Sequence, residues 1–279
     1  MTDQCLNCRY SAWFSSAQGE YAMKRCKSLL YGLLSGWPRR SRSMLVFNAG
    51  SADFLETLWD CGFDVTAQES DPEHLEYARA RLGKRAKFVL SSPDHLPFDD
   101  HSFDYAIAAT AVEFWENPEA VLREIDRLAC NGVIIIFPNA WSLFGLECRL
   151  RKKHPLCAST APLLMSPPKL LRLTRKIFGK KKNSWISVLP GPTVSWRPLR
   201  LLKPLNNARM PLPLGAFVGL RIDFGPLYTG TPLTLPTTEP VQSGTALGRV
   251  SLSSGGQIEA PAPLRLCGQP DIFSLEVIS

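Results

Sequence analysis

Short apolar segments alternate with helix-like segments between residues 44 and 137, and this alternation constrains the fold more than any other feature. Five apolar segments have the length of a strand, and they cover residues 44–47, 63–68, 86–90, 103–108 and 133–137. Two intervening helices are predicted from a capping residue followed by proline, at Asp71-Pro72 and Asn117-Pro118. Strands that alternate with helices predict a mostly parallel α/β sheet with helices on both faces. Ligands of such sheets bind beyond the carboxyl ends of the strands.

The remaining elements follow from weaker patterns. A helix over residues 53–60 is expected to begin at Asp53, with Glu56 completing a capping box. The other expected elements are helices over residues 10–34 and 166–178 and strands over residues 184–189 and 215–223. We divide the chain into a helical segment (1–40), an α/β domain (41–228) with a basic region at about 141–214, and a tail (229–279). The tail is rich in Pro, Gly, Ser and Thr and is expected to be disordered.

Neither a membrane span nor a signal peptide is visible in the sequence. The longest apolar run, residues 133–137, is far shorter than the ~20 residues that span a bilayer. The amino terminus lacks a basic segment followed by an apolar one, so we expect a cytoplasmic protein. Cys5 and Cys8 form a C-x-x-C pair, but no second pair stands at the spacing of a zinc site. The cysteines are therefore expected to be reduced thiols without a metal.

The basic residues are concentrated in one stretch. The net charge is +7, and residues 148–222 contain no Asp or Glu but hold half of the 32 Lys and Arg residues. This asymmetry predicts a positively charged face on the substrate side of the sheet, with Lys180, Lys181 and Lys182 contributing. An anionic membrane, a nucleic acid and an anionic small substrate all fit such a face. Trp and Leu side chains interleave with the charge over residues 141–150, which favours the inner face of a membrane, and no RNA-binding motif is present.

The ends of the first two strands carry the most informative polar residues. The first strand is followed by the run Asn48-Ala49-Gly50-Ser51-Ala52, and the second ends in Glu69, 19 residues after Gly50. An acidic side chain at the end of the second strand can accept hydrogen bonds from both ribose hydroxyls of a nucleoside. The spacing therefore predicts a nucleoside-binding role for Glu69.

Residues 44–139 as a whole resemble class I S-adenosylmethionine (SAM)-dependent methyltransferases, particularly the type-11 group that includes quinone-biosynthesis enzymes. Segment 48–52 resembles the glycine-rich motif I, 68–72 the acidic ribose motif, 92–98 with 102–104 the adenine-side loop and fourth strand, and 122–128 with Gly132 the helix and turn before strand five. The resemblance implies a Rossmann-like sheet of seven strands, mostly parallel, with the last strand antiparallel. It also implies SAM as the cofactor and methyl transfer to an unidentified small molecule as the reaction.

The resemblance further implies where the cofactor and the acceptor bind. The implied cofactor residues are Asn48, Gly50, Ala52, Glu69, Ser70, Ser92, Pro93, Asp94 and Ala109. The candidate acceptor-side residues, one of them from a segment ahead of motif I, are Trp13, Thr110, Glu113 and Trp115. Phe114 and Trp115 are equally consistent with packing. No metal ligand or catalytic residue is assigned, and His95 and His101, which lie in polar loops, are expected to be surface residues rather than general bases.

Departures from the family pattern occur at several of these positions. Val46 replaces the acid near the end of the first strand, Asn48 and Ala52 replace two of the three glycines of motif I, and Ser92 replaces the aspartate on the adenine side. Asn adopts positive φ more readily than other non-glycine residues, so Asn48 is expected to hold the turn. Two alternatives to an active enzyme stay open. One is a catalytically inactive SAM-fold protein with a binding or regulatory role, and the other is a nucleic-acid-binding protein that uses the basic region.

A nicotinamide dinucleotide suits this sequence less well than SAM does. In a dinucleotide site a glycine-rich turn holds a pyrophosphate at the amino terminus of the following helix. In this chain Asp53 takes the third glycine position beside the two phosphates, where like charges repel. SAM carries a sulfonium and an ammonium instead of phosphates, so the sequence favours SAM.

Overall fold

Seven strands form one mixed sheet in the computed structural model, which describes residues 16–48, 50, 52–112, 115–150, 164–196 and 206–225. The strands are β1 (Arg42–Phe47), β2 (Phe63–Glu69), β3 (Ala86–Leu90), β4 (Phe103–Ala109), β5 (Ala129–Pro138), β6 (Lys182–Val188) and β7 (Phe217–Asp223). Their order is β3-β2-β1-β4-β5-β7-β6. All neighbouring pairs are parallel except β5–β7 and β7–β6. The expected seven-stranded, mostly parallel sheet with an antiparallel last strand is confirmed.

Helices cover both faces of this sheet. They are α1 (Ala17–Leu34), α2 (Asp53–Asp60), α3 (Pro72–Leu82), α4 (Pro118–Leu128), α5 (Leu143–Leu150) and α6 (Pro167–Phe178). Successive residues of β1 point to opposite faces, so Met44 and Val46 pack in the apolar cluster with α1, α2, α3 and α5, while Leu45 and Phe47 pack in the cluster with α4 and α6. The chain reverses its order across the sheet between β1 and β4, where open α/β sheets have their ligand crevice.

Two of the three expected helix caps are confirmed and one is wrong. The Asp71 carboxylate accepts the Glu73 N–H at 2.9 Å, and the Asn117 side chain accepts the Ala120 N–H at 3.2 Å. In contrast, Asp53 is not the cap of α2. Ala52 occupies the cap position at φ 62° without a side-chain bond, because the tight turn after β1 already starts the helix there. The Asp53 carboxylate is held by ion pairs to Lys27 and Arg81 instead.

Several boundaries differ from the expected ones. β1 begins two residues earlier than predicted and β5 four residues earlier, because parallel neighbours extend the pairing past the most apolar core. Helix α5 was not expected. It forms because the Ser142 hydroxyl accepts the Gly145 N–H at 3.0 Å and Phe144 packs in the core. The predicted helix over 10–34 is observed from Ala17 onward, and residues 1–15 and the tail 229–279 lie outside the described residues.

The cysteines do not all carry free thiols. Cys26 is a buried free thiol and Cys61 a half-buried one. Cys130, near the start of β5, and Cys148, in α5, each take part in a disulfide. The expectation of reduced thiols is therefore wrong for the latter two. The pair Cys5 and Cys8 lies outside the described residues. Within the described ranges, no helix is long enough and apolar enough to cross a membrane.

The described basic residues of the acid-free stretch do not share one face. Lys182 is in register with Asp223, and Asp223 is in register with Gly132 near the start of β5, so the lysines at 180–182 lie at the amino ends of the parallel strands. This is the end opposite to the ligand crevice, and the expectation that these lysines face the substrate side is wrong. Sequence position alone could not show this, because it does not reveal that the chain returns to the amino ends of the parallel strands before β6 begins. Arg209 contacts Ser28 of α1, and Arg221 is buried.

A buried polar cluster joins the carboxyl end of α1 to β7. The Arg221 guanidinium donates to the Leu33 carbonyl at 3.0 Å and pairs with Asp223 at 2.9 Å, and Trp37 Nε1 donates to the same Asp223 oxygen at 2.7 Å. The Trp37 ring lies under the guanidinium and stacks on Tyr105 of β4 at 4.1 Å. Arg221 thereby satisfies a carbonyl at the end of α1. Tyr105 is buried in the same place, and this burial raises the pKa of its hydroxyl to about 12.

Replacing Asp223 with alanine should destabilise the fold strongly. Arg221 is only 8% exposed, and Asp223→Ala removes the carboxylate that pairs with its guanidinium. Removing one member of a buried pair lowers the free energy of unfolding by about 3–5 kcal/mol. Urea denaturation measures it, with Glu76→Ala as control because the Glu76–Arg79 pair is exposed and contributes about 0–1 kcal/mol. A loss for Asp223→Ala as small as that of the control would contradict the stabilising role of the cluster.

Candidate functional site

A cleft near the carboxyl ends of the parallel strands has a volume of about 640 Å³, which lies in the range of small-molecule sites. Seven predicted site residues line it: Asn48, Glu69, Ser70, Ser92, Pro93, Asp94 and Trp115. The other lining residues, which the sequence interpretation missed as site residues, are Asp71, Pro72, Glu73, Glu116, Asn117 and Val121. Most of the missed residues belong to the two Asp/Asn-Pro helix starts, and of these only Asp71 and Pro72 stand in a segment that resembles a family motif, where they were not named as site residues. We call this the strand-end cleft.

The remaining predicted residues lie beside the cleft or outside the described residues. The Gly50 N–H donates to Glu69, which lines the cleft. Ala52 and Ala109 are buried at the start of α2 and the end of β4. Thr110 follows at φ 54°, with its hydroxyl bonded to the Ala109 carbonyl at 2.7 Å. Trp13, Glu113 and Phe114 fall outside the described residues. Neither His95 nor His101 lines the strand-end cleft.

Glu69 is the best-defined polar residue of the cleft. Its side chain is 4% exposed, and its two carboxylate oxygens accept the N–H groups of Gly50 at 2.9 Å and Ser70 at 3.0 Å. Hydrogen bonds to an ionised acceptor are stronger than neutral ones, so this carboxylate fixes the loop after β1 against the end of β2. Each oxygen keeps a further lone pair, which is available to hydroxyl groups of a ligand.

A chain of hydrogen bonds links the loops that follow the first four strands. Trp115 Nε1 donates to Asn48 Oδ1 at 2.9 Å, and the Asn48 N–H donates to Gln68 Oε1 at 3.0 Å. Gln68 Nε2 in turn donates to the Ser91 carbonyl at 2.6 Å. The side chain of Gln68 is completely buried. The walls of the cleft are therefore held to one another by side chains as well as by the sheet.

Three described residues of the turn after β1 lie in the left-handed region. Asn48, Gly50 and Ala52 have φ of 49°, 53° and 62°, as expected for Asn48. A Cβ at Gly50 would find its nearest neighbour at 3.7 Å, so conformation rather than space requires glycine there. Ala52 is strained by roughly 1–2 kcal/mol, and its complete burial at the start of α2 holds it in place. The turn of a glycine-rich loop thus survives with two glycines replaced.

The strand-end cleft is strongly acidic. Five of its lining residues carry carboxylates: Glu69, Asp71, Glu73, Asp94 and Glu116. Among the described lining residues there is no Lys or Arg, and the described chain holds no cluster of three His, Cys, Asp or Glu placed to bind a metal ion. Carboxylates crowded around a cleft attract a cationic ligand and repel phosphates. Asp53, expected from the sequence to repel a pyrophosphate, is instead paired with Lys27 and Arg81. The negative charge of the cleft therefore comes from the five lining carboxylates.

A clamp from α4 holds the loop between β3 and β4. Glu124 accepts the Leu96 N–H at 2.7 Å, and Arg127 donates to the Phe98 carbonyl at 2.7 Å and pairs with both Glu124 and Asp100. Burial alone would raise the pKa of Glu124, but the bonds from Arg127 and from the Leu96 amide hold that pKa below its ordinary value. Glu124 therefore stays ionised at neutral pH.

The clamped loop carries the adenine-side residues into the cleft. Ser92 donates to the Asp94 carboxylate at 2.5 Å, and both residues line the cleft. The position at which the family has an aspartate is thus followed two residues later by a carboxylate that the serine contacts. The bonds from Glu124 and Arg127 hold the same loop at Leu96 and Phe98, a few residues beyond Asp94.

Comparison with known proteins agrees with this geometry. A family model described as a methyltransferase domain matches residues 45–137. Uncharacterized methyltransferases of Mycobacterium tuberculosis and Mycobacterium bovis are 29% identical over 128 residues, which is 46% of this chain and 52% of theirs. The chain therefore spans about half the length of these curated relatives.

Solved structures share the fold at low identity. A SAM-dependent methyltransferase from Thermotoga maritima, described as a possible histamine N-methyltransferase, superposes with a TM-score of 0.62 at 21% identity, over 77% of this chain and 95% of that one. A Haloferax volcanii methyltransferase solved with an activator protein gives 0.54 at 16% identity, over 78% and 98%. The family match over residues 45–137, the strand order and the acidic strand-end cleft agree with one another: this segment is similar to methyltransferase domains, and the sheet has the fold of class I SAM-dependent methyltransferases.

Proposed function

We propose that this protein transfers a methyl group from SAM, bound in the strand-end cleft, to a small-molecule acceptor. The single observation that carries the proposal is Glu69, a nearly buried carboxylate at the end of β2 that already orders the Gly50 N–H and has lone pairs left. SAM supplies an activated methyl group on a sulfonium. The protein therefore needs to bind SAM and the acceptor and to orient them toward each other. It does not need a metal or a further cofactor to generate a nucleophile.

The cleft residues divide naturally between the parts of the cofactor. Glu69 would accept hydrogen bonds from the ribose hydroxyls, and Ser92, Pro93 and Asp94 would lie beside the adenine, since they occupy the next loop along the sheet edge. The surrounding carboxylates fit a ligand with a sulfonium and an ammonium. Ser70 adds a hydroxyl that is already bonded to the Ser91 carbonyl at 3.3 Å.

Orientation is the main contribution that such a site makes to catalysis. Holding an acceptor in line with the methyl group replaces an encounter in solution, and positioning of this kind contributes up to ~7–11 kcal/mol. Thr110 and Trp115, in the loop after β4, are the described candidates for the acceptor side, together with Trp13 and Glu113 from sequence. An oxygen or nitrogen acceptor that must lose a proton would find carboxylates in the cleft, such as Glu116, as the nearest bases.

An active enzyme is favoured over an inactive relative by how the sequence departures are accommodated. Asn48 and Ala52 keep the left-handed turn that glycines would otherwise provide, and Ser92 contacts a nearby carboxylate. The replacements at residues 48 and 52 therefore keep the turn, and Asp94 places a carboxylate beside Ser92. Nothing in the described ranges favours a nucleic acid as the partner.

Peripheral contact with a membrane is supported by apolar rather than basic residues. Trp141, Leu143 and Leu150, in and just before α5, are 64%, 53% and 76% exposed. They follow the carboxyl end of β5, on the side of the sheet where ligands bind. The lysines at 180–182 lie at the other end of the sheet, so they take no part in this proposed contact.

Removing the Glu69 carboxylate should weaken cofactor binding at least tenfold. Glu69→Ala deletes the acceptor of the ribose hydroxyls and of the Gly50 N–H, and a tenfold loss corresponds to about 1.4 kcal/mol. Isothermal titration calorimetry with SAM and with its demethylated product, S-adenosylhomocysteine (SAH), measures the effect. Glu76→Ala, an exposed acid of α3 outside the cleft, should bind as the wild type does. Equal affinities for both variants would remove Glu69 from the site, and failure of the wild type to bind would favour the inactive alternative.

The charge of the cleft should select SAM over a dinucleotide. SAM and SAH should raise the melting temperature of the wild type, whereas NAD(H) should not, because five carboxylates face its phosphates. Since SAM carries one more positive charge than SAH, its affinity should fall more steeply as salt rises from about 0.05 to 0.5 M, where charges are screened beyond a few Å. Thermal-shift titrations at both salt concentrations measure these responses. Stabilisation by NAD(H) without stabilisation by SAM would overturn the proposed cofactor.

A further inference from the structure

Asn48 gives the loop after β1 a side chain at a position where the family has glycine. That side chain is not free, because its Oδ1 accepts the indole N–H of Trp115 at 2.9 Å. The backbone of Asn48 adopts φ 49°, a conformation that glycine reaches without strain and that Asn reaches more easily than other residues do. The replacement therefore keeps the turn and adds a contact that glycine cannot make.

Trp115 is a firmly placed partner for this contact. The residue is 5% exposed, and its ring meets the Phe47 ring edge-on with the centroids 6.3 Å apart. Phe47 is the last residue of β1, directly before Asn48. Trp115 belongs to the loop after β4, and it lines the strand-end cleft. The two contacts of the indole, one apolar and one polar, therefore join the loop after β4 to the loop after β1.

Asn48 is also linked, through its own backbone and that of Gly50, to the residues proposed to bind the cofactor. The N–H of Asn48 is held by Gln68, and two residues later the N–H of Gly50 is held by Glu69. A displacement of Asn48 would shift Gly50, and the Glu69 carboxylate would lose a donor that now orients it. The orientation of Glu69 thus depends on a bond made on the opposite wall of the cleft.

We propose that Asn48 and Trp115 act as one positioning pair, which holds the loop after β1 against the loop after β4 and so keeps Glu69 ready for the cofactor. This inference rests on the proposed function, because it concerns affinity for SAM and SAH. Without the bond, the loop after β1 adopts other conformations in the empty protein, and binding must order it. That ordering reduces the measured affinity.

A double-mutant cycle on SAH affinity tests the pair. Trp115→Phe removes the N–H donor and keeps an aromatic ring, and Asn48→Gly removes the acceptor and keeps the left-handed turn. Each single variant should bind SAH about threefold to tenfold more weakly, as expected for one net hydrogen bond. The double variant should lose no more than either single variant, because the same bond is lost in all three. Calorimetry at a temperature well below the melting temperature of every variant measures the four affinities.

Two further variants separate positioning from general destabilisation. Asn48→Asp keeps a side-chain acceptor and tolerates positive φ, so it should bind SAH within about twofold of the wild type while Asn48→Gly does not. Trp59→Phe, at a 39% exposed tryptophan of α2 outside the cleft, should leave SAH affinity unchanged. Losses that add in the double variant, or single variants with wild-type affinity, would overturn the pair while leaving the proposed function intact. A wild type that binds neither SAM nor SAH would overturn both.

Discussion

The buried amide of Gln68 is the interaction on which the strand-end cleft depends. Its Oε1 accepts the Asn48 N–H and its Nε2 donates to the Ser91 carbonyl, so one side chain connects the loops after β1 and β3 from the end of β2. An amide accepts with its oxygen and donates with its nitrogen, so Gln68 makes both bonds without bringing a charge into a completely buried position. Glu69 is the next residue, so its position follows from this arrangement. Its carboxylate also accepts the Gly50 N–H.

Strand pairing supplies the frame in which these bonds form. β1 is parallel to both β2 and β4, and residues 44–47 are buried on both faces of the sheet. The carboxyl ends of the strands therefore emerge at one edge, and their loops are close enough for single side chains to join them. Within this frame two glycines of motif I have been replaced without loss of the turn. One replacement, Asn48, is bonded to Trp115, and the other, Ala52, is held by burial.

Charge is distributed by tertiary contacts rather than by sequence blocks. The acids that lie apart in sequence, from Glu69 to Glu116, converge on one cleft. Asp53, which the sequence places in the glycine-rich turn, is drawn away by Lys27 and Arg81 from two other helices. The described basic residues of the acid-free stretch are instead dispersed in space: Arg209 contacts α1, Lys176 pairs with Glu119 of α4 at 2.8 Å, and Lys182 lies at the amino ends of the parallel strands.

Local sequence patterns were enough to predict the strands, most of the helices, the parallel α/β class and the position of Glu69 at a strand end. These depend on local signals, namely runs of apolar residues, the Asp71-Pro72 and Asn117-Pro118 helix starts, and the spacing from Gly50 to the end of β2. Four features could be seen only in the folded chain: the cap of α2, the Trp115–Asn48 bond, the acids that complete the cleft, and the end of the sheet at which the lysines 180–182 lie. Each of these depends on residues from distant segments meeting in space. Local propensity carries no information about such a meeting, because the partners are chosen by strand order and by the packing of helices across the sheet.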